Sequence, residues 1–174
     1  MTDLNLPTSP EKITQILDSI YIKYDLHHHE AVFSVKDAAK VETTIAGAHC
    51  RNMFLRDKKK KMFLLTLQNE TPVDLKKLEK RLSCGRLSFG SPERLFDYLG
   101  VHPGSVCPFS VINDDAHDVT LILEKEMMGR DLVTYHPLLN TMTLALAPAD
   151  LIKFLDHIGH PYEIIDLACV RPEN

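Results

Sequence analysis

Apolar and polar residues alternate from Met53 to Asp57, the two-residue period of a half-buried strand. Arg51 and Asn52 stand at its entrance. Four lysines, Lys58 to Lys61, stand at its exit, where a charged turn is readily solvated. Met62-Phe63-Leu64-Leu65-Thr66-Leu67 then returns as a second, more apolar strand. The pattern predicts a hairpin with an Arg-Asn pair at one end and a cationic tip at the other.

Upstream, Ser9-Pro10-Glu11 carries a helix-start signal, with Ser as N-cap and Pro in the first turn. Ile13, Ile16, Leu17 and Ile20 follow at helical spacing, which predicts a helix running to about Tyr24. Leu26 to His29 reads as a short strand. Ser34 is a second N-cap candidate, for a short helix over Val35 to Val41, and Gly47 breaks the chain before the hairpin.

Downstream, Val73 to Leu82 is amphipathic, with Leu75, Leu78 and Leu82 on one side and Lys76, Lys77, Lys80 and Arg81 on the other. Leu87-Ser88-Phe89 predicts a strand, and Ser91-Pro92-Glu93 a helix through about Leu99 that Gly100 closes. Two prolines and a glycine between Val101 and Pro108 rule out regular helix or inner strand and predict an ordered loop. Phe109–Ile112, Val119–Leu123, Leu132–Pro137, Thr141–Leu146 and Tyr162–Leu167 read as strands. A last helix begins at Ala147-Pro148, buries Leu151, Ile152, Phe154, Leu155 and Ile158, and stops at Gly159. Strands arrive in hairpins as often as across helices. The fold class expected is therefore α+β, with a mixed, largely antiparallel, barrel-like sheet surrounded by helices, and residues 1–174 as a single domain.

Composition adds little until charge is located. The 44% apolar and 25% charged fractions are those of an ordinary globular chain. The polar start and the lack of a long apolar run predict a cytoplasmic protein without a membrane partner. Net charge is −4, yet Arg51 to Lys61 holds six cations and one anion, leaving −9 for the rest. A compact positive patch on an acidic body suits a local phosphate contact better than a long groove along a duplex. Cys50, Cys84, Cys107 and Cys169 are scattered, with no Cys-x-x-Cys, which predicts free thiols. His27-His28-His29 invites a metal reading, but neighbours on a strand point to opposite faces, so the three cannot easily share one ion.

The chain has no phosphate-binding Gly-Lys loop, no Gly-x-Gly-x-x-Gly, no Gly-x-Ser-x-Gly and no His-Glu-x-x-His. Three features remain as candidates. Arg51-Asn52 offers a fixed cation and an amide. Gly104-Ser105-Val106-Cys107-Pro108 offers backbone N–H groups on a rigid loop. His136, ahead of Pro137, offers an imidazole. A donor set and a rigid loop are what ester hydrolysis uses to stabilise a developing oxyanion, and an imidazole can move a proton or shape a pocket. Spacing alone does not bring the three together. Each also has a plain structural reading as an ion-pair partner, a turn former or a strand-end residue.

The order Cys50-Arg-Asn-Met-Phe-Leu-Arg-Asp-Lys-Lys, Leu87-Ser-Phe, Leu99-Gly-Val-His-Pro-Gly-Ser-Val-Cys-Pro-Phe, Ile112-Asn-Asp and His136-Pro-Leu-Leu-Asn-Thr resembles the YbaK-type editing domains related to the insertion domain of bacterial prolyl-tRNA synthetase. Within that superfamily it is most similar to the free-standing alanyl-tRNA(Pro) deacylases, ProXp-ala. The resemblance implies a barrel-like mixed sheet, hydrolysis of the ester between alanine and tRNA(Pro), and no metal or organic cofactor. The expected partner is the 3′ acceptor end of tRNA(Pro), with prolyl-tRNA synthetase or an elongation factor as further candidates. The resemblance also implies that the Gly104–Pro108 loop holds the ester and that His136 limits the pocket. Arg51-Asn52 takes the place of the family's Lys-Asn pair, a change that keeps a phosphate contact but removes an amine able to lose its proton. Arg51, Asn52, Gly104, Ser105, Val106 and His136 are thus the expected catalytic set, and Arg56, Lys58, Cys107 and Pro108 the expected substrate contacts. Alternatives are deacylation of another small mischarged species such as Cys-tRNA(Pro), or a non-catalytic module that binds tRNA or a synthetase.

Overall fold

The computed structural model describes residues 5–31 and 43–172. The expected helix over Val35 to Val41 lies outside the described residues. Helix α1 (Pro10–Ser19) is followed by strands β1 (Tyr24–His28), β2 (Ala48–Arg56) and β3 (Met62–Gln68), helix α2 (Leu75–Arg81), strand β4 (Ser88–Phe89) and helix α3 (Pro92–Leu99). A 3-10 helix (Pro108–Asn113), strand β5 (Val119–Glu124), helix α4 (Lys125–Met128) and strands β6 (Val133–Tyr135) and β7 (Met142–Leu146) come next. Helix α5 (Pro148–Ile158), strand β8 (Tyr162–Ile165) and a 3-10 turn (Ala168–Val170) complete the order.

The strands form a mixed sheet in the order β1-β7-β6-β2-β3-β5-β8, with β4 paired to β2. Hairpin β2–β3 is antiparallel, as its pattern predicts, with Asn52 opposite Thr66 and Arg56 opposite Met62. The other edge of β2 is shared. Parallel β6 takes its beginning, at Ala48 and His49, and antiparallel β4 takes its end, at Leu55 and Arg56. The parallel pairs β3–β5 and β5–β8 complete that side.

Every residue of β3 is buried because both faces of the sheet are covered, the condition under which a strand loses its alternation. On one face Met62, Leu64, Leu121 and Leu123 pack against Ile13 and Leu17 of α1, Leu95 and Leu99 of α3, and Phe154 and Leu155 of α5. On the other, Phe63, Leu65, Leu67 and Ile122 pack against Leu78 of α2 and Val170. The alternation of β2 assigns its residues the same way: Cys50 and Phe54 belong to the first face, Met53 and Leu55 to the second.

The local signals explain most boundaries. Ser9 caps α1 by accepting from the Lys12 N–H, and Ser91 caps α3 by accepting from the Arg94 N–H. Gly100 and Gly159 end α3 and α5 in the left-handed conformation. Two expectations need correction. Helix α1 stops at Ser19, not near Tyr24. The Ile22 N–H bonds the Leu17 carbonyl and the Tyr21 N–H that of Asp18, a left-handed closure at Tyr21 (φ 59°) made without glycine. Phe109–Ile112 is not a strand but part of the 3-10 helix. Pro108 opens it, and both the N–H and the hydroxyl of Ser110 turn back to the Cys107 carbonyl. That fold-back drives Phe109 edge-on into Tyr135 and Phe154, with centroids 6.0 and 5.1 Å away.

Candidate active site

Asn52 sits in the middle of β2, between the stretches covered by β6 and β4. It shares the face of Cys50 and Phe54. Its Nδ2 donates to the Val106 carbonyl at 2.8 Å, and its Oδ1 accepts from Thr66 Oγ1 at 2.7 Å. Thr66 is fully buried, so the amide is held between a fixed hydroxyl and the loop after α3.

That loop has a definite shape. The Ser105 N–H bonds the His102 carbonyl at 3.0 Å, and Gly104 has φ +90°. Pro103 and Gly104 are therefore the two central residues of a turn that demands positive φ at the second, where glycine is strain-free. One expectation changes here: the Ser105 N–H is committed to this turn. The Val106 N–H makes no hydrogen bond among the described residues. Pro108 has no N–H, is buried, and starts the 3-10 helix.

His136 follows β6. The loop reaches the turn beyond it at two places. A Cβ on Gly104 would lie 3.6 Å from Asn140 Nδ2, and the Cys107 thiol faces the Leu138 backbone. On the β2 side, Cys50 lies against Thr134 and Tyr135, the two residues before His136. Asn52, the Gly104–Pro108 loop and the His136 segment thus border one region of the molecule, although they are far apart in sequence.

Arg51 does not share that arrangement. It lies on the face of Met53 and Leu55, is exposed, and its guanidinium donates to the Thr71 carbonyl at 2.7 Å. The strand period separates it from Asn52, so the two do not act as one pair of side-by-side donors. Arg56 is half-buried at the end of β2, on the Asn52 face. Lys58 is exposed in the turn beyond. The turn itself is organised by Asp57, whose Oδ1 accepts from the N–H groups of Lys59 and Lys61 and whose Oδ2 accepts from that of Gly85.

The imidazole of His136 is oriented. Its Nδ1 lies 2.7 Å from the Met142 carbonyl, which can only accept, so Nδ1 carries the hydrogen and the neutral ring keeps its lone pair on Nε2. Thr143 Oγ1 lies 3.4 Å from the same nitrogen and 2.9 Å from His29 Nε2. Burial lowers the His136 pKa, the Met142 hydrogen bond opposes the shift, and His29 nearby lowers it further. The unperturbed value is 6.5, so the ring is neutral at physiological pH. A ring titration followed by NMR is expected to give a midpoint below that value, and one at or above it would contradict the buried neutral ring. A histidine depressed in the fold weakens stability only as pH falls below its unfolded value. The loss therefore begins near pH 6.5 and grows toward the folded pKa.

The two thiols of this region, Cys50 and Cys107, offer no ready nucleophile. Burial pushes Cys50 up to about 12 and the fully buried Cys107 up to about 11, so neither forms thiolate near neutrality. Ser105 is buried.

Sequence reasoning missed Thr66, His29 and Thr143 as supporting groups. Thr66 did leave a signal: it is the lone hydroxyl inside an otherwise apolar run, where a buried polar group needs a partner. The asparagine of the Ile112-Asn-Asp run proves structural. Asn113 donates to the Leu99 carbonyl and accepts from the Thr8 hydroxyl, tying the end of α3 to the N-terminal segment.

A family model for the aminoacyl-tRNA editing domain matches residues 29–154. A prolyl-tRNA editing protein ProX from Acetoanaerobium sticklandii is 33% identical over 152 residues, covering 87% of this chain and 93% of the relative. A prolyl-tRNA synthetase associated domain-containing protein 1 from Danio rerio is 29% identical, covering 86% and 83%. Among solved structures, a protein provisionally assigned as a trans-editing enzyme for prolyl tRNA synthetase superposes with a TM-score of 0.67 over 92% of this chain and 97% of its own, at 18% identity. A hypothetical protein superposes with a TM-score of 0.69 at 11% identity, over 88% and 97%. These two likenesses concern the fold. With the family model spanning most of the chain and the ProX relative covering nearly all of it, the chain belongs to the aminoacyl-tRNA editing domain family.

Proposed function

We propose that this protein is a trans-editing hydrolase that removes alanine from mischarged tRNA(Pro), with residues 1–174 acting as one editing domain. The observation that carries the reading is the hydrogen bond from Asn52 to the Val106 carbonyl, which locks the Gly104–Pro108 loop against β2. The family membership and the printed names of the ProX and synthetase-associated relatives support tRNA(Pro) as the substrate.

In this reading the aminoacyl ester lies against the loop, and the unspent Val106 N–H faces the charge that develops on the carbonyl oxygen. Water attacks the carbonyl carbon. The bond to the terminal ribose oxygen breaks, that oxygen takes a proton, and alanine leaves as its carboxylate. The vicinal ribose hydroxyl assists the proton movement, since no Ser or Cys is activated. His136, neutral and held through Nδ1, forms a rigid wall of the pocket. Discrimination follows from size. A synthetic site built for proline rejects a smaller amino acid by only about 1–3 kcal/mol per missing methylene, so a second site that admits alanine and excludes the pyrrolidine ring supplies the remainder.

The test is a deacylation panel with purified protein on Ala-, Cys-, Ser- and Pro-tRNA. The expected result is rapid release of alanine with Pro-tRNA(Pro) untouched. Preferential release of cysteine would move the specificity to a wider pocket. Tight tRNA binding with no release from any member would replace the enzyme with a binding module.

A further inference from the structure

We infer that the surface running from the end of β2 across the lysine turn to α2 is a docking track for the RNA strand that leads into the proposed site. It would take the phosphates of that strand and at least one of its bases. The inference rests on the editing function and deepens it.

Three observations lead there. First, most cations of this surface are unspent. Lys58 to Lys60, Lys76, Lys80, Arg81 and Arg86 are all exposed, and none makes an ion pair among the described residues, whereas Lys61 is engaged over the Phe63 ring, 5.2 Å from its centroid. Second, the nearby acids are turned onto the backbone. Asp57 holds three N–H groups of its own turn and of Gly85, Asp74 caps α2 through the N–H groups of Lys76 and Lys77, and Glu79 accepts from the Leu87 N–H at 2.8 Å. These acids are thus not drawn into ion pairs with the cations, which outnumber them, so the surface keeps a net positive field on a chain of net −4. Third, the groups are contiguous. An open groove of about 740 Å³ is lined by Lys76, Glu79, Lys80, Ser83, Cys84 and Arg86. A Cβ on Gly85 would touch the Lys58 side chain at 3.4 Å, which joins that groove to the lysine turn.

An aromatic group separates nucleic acid from a simple anion as the occupant. Phe89, on β4 opposite Leu55 and so on the α2 face of the sheet, is 65% exposed, although most large apolar side chains of this protein are buried. An exposed ring among unpaired cations is the composition that binds single strands, with phosphates on the cations and a base stacked on the ring. The reach is also appropriate. From Asn52 to Arg56, where β2 ends, the strand advances about 13 Å, which carries the track from the terminal ribose to the nearest phosphates beyond it.

The experiment compares the wild type with the triple variant Lys76→Glu/Lys80→Glu/Arg86→Glu and with Phe89→Ala. The substrates are full-length Ala-tRNA(Pro) and a short alanylated oligonucleotide ending in the same 3′ residues. All four positions are exposed, and circular dichroism checks folding. The triple variant is expected to raise KM for the full-length substrate at least tenfold, with kcat within twofold and the short substrate unaffected. Its dependence of log KM on log salt should flatten by about 2. Phe89→Ala is expected to raise KM about fivefold or more on both substrates, and Phe89→Tyr to restore it. An active wild type with an unchanged KM and salt slope in the triple variant would overturn the track while leaving the editing function intact. Should the wild type release no amino acid, binding of uncharged tRNA by fluorescence anisotropy decides: loss in the triple variant sustains the track, and equal binding overturns it. Binding of anionic phosphatidylserine vesicles that depends on the three cations, with tRNA unaffected, would overturn it in favour of a membrane surface.

Discussion

Replacing Asn52 with alanine is expected to lower kcat/KM for alanyl-tRNA(Pro) by at least a hundredfold. Its side chain joins β2 directly to the Gly104–Pro108 loop, through the Val106 carbonyl at 2.8 Å. Without it, the adjacent Val106 N–H loses its fixed direction. Loss of one preorganised donor at a developing oxyanion costs about 100- to 1000-fold in rate. The same change strands the buried Thr66 hydroxyl, which donates to Asn52 Oδ1. An unpaired buried polar group costs about 1–3 kcal/mol of stability. The two effects can be separated. In the double variant Asn52→Ala/Thr66→Val the stranded hydroxyl is gone, so stability should recover in part while activity stays low. Near-wild-type kcat/KM in folded Asn52→Ala would remove the amide from the site.

The largest stability effect is expected at Asp114, within the Ile-Asn-Asp motif. Its Oδ1 accepts from the Asp118 N–H, and its Oδ2 accepts from the Val119 N–H at 2.8 Å and lies 3.1 Å from His160 Nε2. Both side chains are almost completely buried. Asp114 thus fixes the start of β5, a strand paired on both sides, to the segment between α5 and β8. Asp114→Ala would leave two backbone donors and an imidazole without their acceptor. Removing one partner of a buried pair costs about 3–5 kcal/mol, a large share of the ~5–15 kcal/mol that holds a domain together. Urea unfolding should show the loss directly, and the thermal midpoint should fall by roughly 10 °C. A loss below about 1 kcal/mol would mean that water or a rearranged loop takes over the carboxylate's role.

Both effects concern residues whose importance is visible along the chain only as a motif. Asn52 and Asp114 stand in two runs that resemble the editing family, yet one joins a loop to a strand at the proposed site and the other holds the scaffold. Residue type and neighbours do not distinguish these roles, because each is defined by a partner 46 to 54 residues away. Arg51 makes the point from the other direction. It is adjacent to Asn52 in sequence, but the alternation that argues against three adjacent histidines sharing one ion also sends Arg51 to the opposite face of β2.

The misread elements have similar causes. The end of α1 carries no glycine, and Tyr21 takes the left-handed position that glycine usually fills. Phe109–Ile112 is apolar enough for a strand, but Pro108 and the folded-back Ser110 make a 3-10 helix. Helix α4 is a single turn, too short to leave a period.

The chain by itself determined what depends on near neighbours. The Ser-Pro helix starts, the glycine stops, the β2–β3 hairpin and its charged turn, and the glycine-requiring turn at Gly104 are all decided within a few residues by backbone sterics, capping and period. Tertiary structure alone decided which face each strand offers to which helix, that β6 and β4 divide one edge of β2, and that the Asn52 amide meets the Val106 carbonyl. Those outcomes depend on how strands distant in sequence pair, and that is settled by burying two apolar faces of one sheet together, a property of the whole chain that no local window contains.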